Sequence, residues 1–166
     1  MTNDEIATAL AAFDAAIAVG TAPDAPWKAL QVLAQTLIGA KLFTTMTIDR
    51  VAETACRAYT SHPDEYPVSG SKPLRYDAWY DQIHKEHRLF IANTIGDIAK
   101  VFADHAVIWS LGCGSVVNLP VVIAGDMIGT VNLLDEEHYY TPERVALTRH
   151  LAIPAKLAFL AAARLA

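Results

Sequence analysis

Apolar residues recur at helical spacing in two successive runs near the N-terminus. The first run follows a Thr2-x-x-Glu5 capping box and predicts a helix from about Asn3 to Val19. The second begins at Pro26, a favoured first helical residue, and predicts a helix that ends at Gly39. Most positions around the first apolar stripe are alanine, so another helix can approach more than one face of this helix.

The middle of the chain changes to patterns typical of strands. Strands are predicted for segments rich in β-branched and other apolar residues, namely Leu42–Ile48, Glu53–Thr60, Leu89–Ala92, Ser115–Ile123 and Met127–Leu134. Asp49-Arg50 connects the first two as a hairpin. Ala124-Gly125-Asp126 connects the last two, where Gly125 can take the positive φ that a tight turn requires.

Between these hairpins the periodicity stops and then returns in short pieces. Residues 61–75 include three prolines and one glycine, which cannot sustain a helix or a central strand, so we predict a loop. Short helices are predicted for Asp77–His87 and for Thr94–Phe102, with Thr94 as N-cap, and a further turn for Asp104–Leu111.

The C-terminal segment predicts one long helix. Thr141-Pro142-Glu143 supplies an N-cap, a first-turn proline and a first-turn acid, and the helix extends to Arg164 with a kink at Pro154. Helices at both ends around about five or six antiparallel strands predict an α+β fold.

Composition narrows the class of protein. The chain has 166 residues, 53% of them hydrophobic and 19% charged, which is typical of one packed domain. Its formal charge of -5 disfavours nucleic acid as a partner. The acidic start and the lack of an apolar run of about 20 residues predict a cytoplasmic protein with no membrane partner.

Three motifs together resemble stand-alone bacterial GAF domain proteins. They are Tyr-Pro-Val-x-Gly-x-Lys-Pro at Tyr66–Pro73, a downstream Trp79, and Leu-Gly-Cys-x-Ser-Val-x-Asn-x-Pro-Val at Leu111–Val121. The resemblance spans residues 25–157, so residues 1–166 are expected to form a single GAF domain. It implies a GAF/PAS-like sheet with the terminal helices on one face and a roof of loop and helices over the other. It also implies a homodimer through the terminal helices, with residues 1–20 in the dimer bundle.

By the same resemblance, the roof and the sheet enclose a pocket for an unknown small molecule. The predicted ligand-binding residues are polar or aromatic groups of this region together with one thiol: Tyr66, Lys72, Trp79, Tyr80, His105, Trp109, Cys113, Ser115 and Asn118. Lys72 can pair with a carboxylate or phosphate, and the tryptophans can stack on a planar ring. The alternative is that the aromatic residues only pin the loop to the core.

Cys113 lies between two glycines at a strand entrance and raises the question of catalysis. Some GAF proteins reduce free methionine-R-sulfoxide with cysteines near this region, which requires a nucleophilic and a resolving thiol. Only Cys56 is available as the second thiol. No histidine follows Cys113, as covalent bilin attachment in related domains requires.

No catalytic or metal motif is evident in the sequence. His84 and His87 are three residues apart on a predicted helix, but no third ligand stands at a fitting spacing. The chain lacks a P-loop, a nucleophile elbow and paired catalytic carboxylates. We therefore predict a non-catalytic sensor without cofactor or metal. A thiol-dependent sulfoxide reductase using Cys113 and a ligand-free interaction module are the alternatives.

Overall fold

A computed structural model describes the whole chain, residues 1–166. The helices are α1 (Asn3–Val19), α2 (Ala25–Leu37), α3 (Ala78–Tyr80), α4 (Ile95–Ala99), α5 (His105–Ser110), α6 (Pro142–Leu147) and α7 (Ala152–Leu165). A π-helical turn, Asp81–Lys85, continues α3, and a 3₁₀ turn, Thr148–Leu151, joins α6 to α7.

The strands form one antiparallel sheet. They are β1 (Leu42–Asp49), β2 (Thr54–Thr60), β3 (Lys72–Pro73), β4 (Phe90–Ala92), β5 (Ser115–Ile123) and β6 (Asp126–Asp135). Their order across the sheet is β3-β2-β1-β6-β5-β4. The α+β architecture and the strand number predicted from the sequence are therefore confirmed.

The two faces of the sheet are covered by different elements. On one face, Phe43, Val117 and Val131 belong to a core of 20 buried residues shared with α1, α2 and α7. On the other face, a smaller core of eight buried residues, including Leu42, Val116 and Leu134, lies beneath the roof segments. Because side chains alternate along a strand, neighbouring residues of β1, β5 and β6 serve opposite cores.

Local signals set the ends of several elements as predicted. Thr2 and Glu5 form a capping box at the start of α1, and the Thr94 side chain accepts from the Asp97 amide at the start of α4. In the β5–β6 turn, Gly125 has φ of 85°, and Ala124 also has a positive φ, of 51°. Two consecutive left-handed residues are typical of a tight hairpin turn.

Three elements differ from the sequence prediction. The predicted loop contains the two-residue strand β3, which pairs with β2 at the edge of the sheet. Pro73 is tolerated there because an edge strand does not need every backbone N–H to donate. The helix predicted to span Thr94–Phe102 ends early, at Ala99. The long C-terminal helix is interrupted at Thr148–Leu151, one turn before Pro154. Proline has no backbone N–H to donate to the carbonyl four residues earlier, and its ring clashes with that carbonyl.

Residues 142–165 form a helical segment that is long and apolar enough, by length and composition, to cross a membrane. In this fold the segment contributes Ala155, Ala158, Phe159 and Ala162 to the main core. Phe159 packs edge-on against Trp27 of α2, with ring centroids 4.7 Å apart. One side of the segment thus packs into the main core, while 39% of its apolar window is buried in all.

Candidate functional site

A cavity of about 240 Å³ lies between the sheet and the roof. Its floor consists of alternate residues of four strands, namely Thr44, Met46, Ile48, Ala55, Arg57, Val116, Asn118, Thr130, Asn132 and Leu134. Its roof consists of Tyr66, Lys72, Pro73, Leu74, Arg75, Asp77, Trp79, His84, Val101, Phe102, Asp104 and Ile108. Half of these 22 residues are hydrophobic, so the cavity has apolar walls with a limited set of polar groups.

A relay of side-chain hydrogen bonds crosses the floor. The Trp79 indole N–H donates to Asn118 Oδ1 at 3.0 Å, Asn118 Nδ2 donates to Asn132 Oδ1 at 2.8 Å, and Asn132 Nδ2 donates to Thr44 Oγ1 at 3.1 Å. An indole nitrogen can only donate, so it sets the orientation of both amides and the direction of the relay. The Thr44 hydroxyl accepts at the end of the relay, and it donates no hydrogen bond within the protein.

Thr130 contributes a second hydroxyl to the floor. The residue is 1% exposed, and its Oγ1 has no hydrogen-bond partner within the protein. Thr130 and Asn132 follow each other on the cavity face of β6, and Asn132 pairs across the sheet with Thr44. Thr130 thus lines the cavity as a residue, while its hydroxyl oxygen is covered by protein atoms and is costly to the fold.

One corner of the cavity is held by Arg57, Tyr66 and Asp104. The Arg57 guanidinium carbon lies 3.6 Å from the Tyr66 ring centroid, and Arg57 Nη1 donates to the Pro67 carbonyl oxygen at 2.7 Å. The Tyr66 hydroxyl donates to Asp104 Oδ2. Burial, with help from this bond, raises the pKa of Tyr66 well above its usual value, so the hydroxyl stays protonated. These contacts tie the loop to β2 and to the segment before α5.

The remaining charged groups stand around the roof. Arg75 pairs with Asp77 at 2.6 Å and also donates to the Val101 carbonyl. Lys72 is exposed and pairs with no carboxylate. Burial, followed by the charge of Arg50, lowers the pKa of His84 to about 4, so its imidazole is neutral near pH 7.

Four of the nine predicted ligand-binding residues line this cavity. They are Tyr66, Lys72, Trp79 and Asn118. The sequence motifs that suggested them thus contribute side chains to both the roof and the floor of the cavity.

The other five lie outside the cavity lining. Tyr80 stacks on His84 at 4.0 Å, and His105 Nδ1 lies 3.0 Å from the Phe102 carbonyl oxygen. Trp109 is 55% exposed, whereas Ser115 is buried and donates to the carbonyl oxygens of Asp135 and Glu136. Cys113 is fully buried in the smaller core.

The geometry offers no support for thiol chemistry. Burial, reinforced by the nearby Asp135 charge, raises the pKa of Cys113 to about 11, which suppresses its thiolate. Cys56 hydrogen-bonds with Thr47, which lies opposite it in the sheet and does not line the cavity. Cys56 lies on β2, in the row of the sheet that reaches Val121 near the end of β5, whereas Cys113 precedes the start of β5 at Ser115. The two cysteines are therefore separated by two intervening strands and by roughly 20 Å or more along the strand direction. Cys113 and Cys56 therefore cannot act as a nucleophilic and resolving pair in this arrangement.

Several lining residues were missed by the sequence analysis. Arg57 interrupts the apolar pattern of β2, while Thr44, Thr130 and Asn132 are polar residues at alternate positions of otherwise apolar strands. Polar residues spaced two apart on a predicted buried strand were the available signal. No group of three or more His, Cys, Asp or Glu side chains is placed to hold a metal ion.

Comparison with known proteins gives the fold. No protein-family model matches the chain, and no curated protein matches it significantly. The GAF domain of an Acinetobacter phosphoenolpyruvate-protein phosphotransferase superposes with a TM-score of 0.70 at 10% identity, covering 99% of this chain and 95% of that one. The GAF domain of a Bacillus halodurans two-component sensor histidine kinase gives 0.63 at 13% identity, covering 85% and 98%.

A third neighbour is an enzyme. Free methionine-R-sulfoxide reductase from Neisseria meningitidis, solved with its substrate, has a TM-score of 0.64 at 16% identity and covers 100% of this chain and 96% of that one. Identities this low establish shared architecture and leave activity open. From its sheet order, its roofed cavity and these neighbours, this protein is a GAF-fold domain.

Proposed function

We propose that this protein is a non-catalytic sensor that binds a small molecule in the cavity between sheet and roof. The observation that carries this proposal is the 240 Å³ cavity itself, whose floor is crossed by the hydrogen-bond relay from Trp79 to Thr44. A collapsed pocket has no such space for a ligand.

The relay supports the same function. Asn118 is 3% exposed and Asn132 7% exposed, and each uses one of its two amide N–H groups in the relay. Side chains held by such a relay are pre-organised, so a ligand loses little free energy in ordering them. The cavity therefore favours binding over a ligand-free interaction module.

The fold also provides a route from the cavity to the terminal helices. Strand β5 contacts the roof through the Asp81–Lys85 turn and α4, and it contacts α7 as well. A ligand that binds one arrangement of the roof better than another shifts the population of the two. We place the output of the sensor at the terminal helices for this reason.

These helices are also the proposed homodimer interface. Ile153, Leu157 and Leu160 of α7 are 78%, 39% and 55% exposed, and their spacing of four and three residues places them on one stripe. Two bacterial neighbours are parts of two-component sensor histidine kinases, and we propose a bacterial cytoplasmic setting for this chain too.

Light scattering tests the dimer. Ala12→Glu places a charge on the exposed side of α1 and is expected to convert a dimer to a monomer. Ala52→Glu in the exposed β1–β2 turn is the matched control and should leave the mass unchanged. An Ala12→Glu protein with the mass of the wild type contradicts the assignment.

Native mass spectrometry tests ligand binding. The freshly purified protein is expected to carry a noncovalent mass excess that disappears on denaturation, or to show a thermal shift with members of a metabolite library. Ala55→Trp fills the cavity floor and should abolish both signals, whereas Ala52→Trp on the exposed turn should retain them. A bare protein with no shift from any compound refutes the sensor function.

A further inference from the structure

We propose that the cavity takes a small monocarboxylate whose carboxylate pairs with Arg57. This inference rests on the proposed function and names the class of ligand. The volume of the cavity, the charge of its lining and the donors of Arg57 each support this ligand class.

The volume of the cavity limits the size of the ligand. At about 240 Å³ it exceeds an apolar cavity that holds benzene, which is about 150 Å³. It falls below the range of roughly 300 to 1,000 Å³ that drug-sized ligands occupy. A compact metabolite of little more than benzene's size fits, and a nucleotide or tetrapyrrole does not.

The charge of the lining favours one negative charge. Three cations, Arg57, Lys72 and Arg75, face two carboxylates, Asp77 and Asp104, around this cavity. Asp77 forms an ion pair with Arg75. With His84 neutral, the lining is left one positive charge in excess, in a protein whose formal charge is -5. A monoanion balances that charge, whereas a doubly charged phosphate overcompensates it.

Arg57 is the cation placed to bind the anion. Its side chain is 13% exposed, and its one hydrogen bond is the Nη1 donation to Pro67. Its Nη2 forms an ion pair with Asp104 Oδ2 at 3.5 Å, a distance longer than that of a strong hydrogen bond, so Asp104 competes with a ligand carboxylate for this side chain. A guanidinium carries five N–H donors in a fork that matches a carboxylate, so most of its capacity remains free for a ligand.

The far end of the ligand follows from the sheet register. Arg57 pairs across the sheet with Met46, and Met46 pairs with Thr130, so Arg57 and Thr130 lie two strands apart on one row, about 10 Å between backbones. The Thr44 hydroxyl stands on the adjacent row and keeps a free proton, because the relay uses only its oxygen. A short molecule held at Arg57 therefore extends across β1 towards Thr130, whose hydroxyl oxygen is itself covered by protein atoms.

Comparing the affinity of each acid with that of its amide separates the effect of charge from the effect of shape. We would measure affinity by calorimetry and thermal shift for levulinate and para-hydroxybenzoate, for their neutral primary amides, and for inorganic phosphate. At least one acid is expected to bind at least tenfold more tightly than its amide, and phosphate is expected not to bind. Equal binding of acid and amide, or stabilisation by phosphate alone, overturns the inference.

Two variants act in opposite directions on the same charge. Arg57→Met is expected to weaken acid binding at least tenfold more than it weakens amide binding, because it removes the charge as well as the contacts with Tyr66 and Pro67. Asp104→Asn removes the competing carboxylate while retaining an acceptor for Tyr66, and it is expected to tighten acid binding several-fold. If Arg57→Met fails to fold, Asp104→Asn still decides the matter, since unchanged acid affinity in that variant contradicts the inference.

The same measurements distinguish failure of the monocarboxylate inference from failure of the proposed sensor function. If neither acid binds at millimolar concentration, the monocarboxylate inference fails. If a neutral compound then binds the wild type and not Ala55→Trp, the sensor function stands with a different ligand class.

Discussion

The hydroxyl of Thr130 allows a test of what an unpartnered buried group costs this fold. Thr130→Val keeps the shape and the β-branched character of the side chain and removes only the unpartnered oxygen. We expect the protein to become more stable. A hydroxyl with a hydrogen-bond partner within the fold would show the reverse change in stability.

The expected size of the effect follows from the burial of the group. The side chain is 1% exposed, so its hydroxyl loses its hydration without compensation in the free protein. Removal of that unsatisfied group should raise the free energy of unfolding by about 1 to 2 kcal/mol. For a chain of 166 residues this corresponds to a rise in Tm of about 2 to 8 °C.

Thr45→Val provides a matched control. Thr45 is 0% exposed and also has an unpartnered Oγ1, but it follows Thr44 on β1 and does not line the cavity. Both variants should be stabilised in urea and thermal unfolding. Destabilisation by Thr130→Val beside stabilisation by Thr45→Val would refute the reasoning, since it would mean that the Thr130 hydroxyl has a partner within the fold.

Three further predictions concern the neighbouring groups. Trp79→Phe removes the donor to Asn118 and should lower the free energy of unfolding by about 1 to 3 kcal/mol in urea, whereas Trp109→Phe, 55% exposed, should change it little. Cys113, with its pKa near 11, should react with a thiol reagent only as fast as the protein opens, and native labelling faster than that contradicts its burial. His84 binds a proton less readily in the fold than in the unfolded chain, so the stability present above pH about 6.5 should fall as the pH drops towards about 4. His84→Gln should flatten that part of the pH profile, and an unchanged profile contradicts the assignment.

Much of the architecture was predictable because its signals are local. The capping box of Thr2 and Glu5, the N-cap at Thr94 and the turn glycine Gly125 each act through residues only a few positions away. The apolar spacing of α1, with Ile6 and Phe13 buried, likewise depends on one element and the face it presents. The breaks at Thr148–Leu151 and within Asp81–Lys85 were harder to locate, because packing against the rest of the fold decides where a strained turn is accommodated.

The candidate site was predictable only in part. Tyr66 and Trp79 came from a motif, yet the sequence did not separate them from Trp109, which lies on the surface. Arg57 was not selected at all, since nothing near it in the chain indicates that Asp104 and Tyr66 will surround it.

Local periodicity and capping thus decided which segments of this chain are helices and strands, because those interactions join residues within one or two turns. The cavity was decided by tertiary structure. The bond from Asn132 to Thr44 joins residues 88 positions apart, and that from Tyr66 to Asp104 joins residues 38 apart. Only the pairing of β1 with β6 brings Asn132 beside Thr44, and only the packing of the roof over the sheet brings Tyr66 beside Asp104. The register of the sheet then determines which residues of each strand line the cavity.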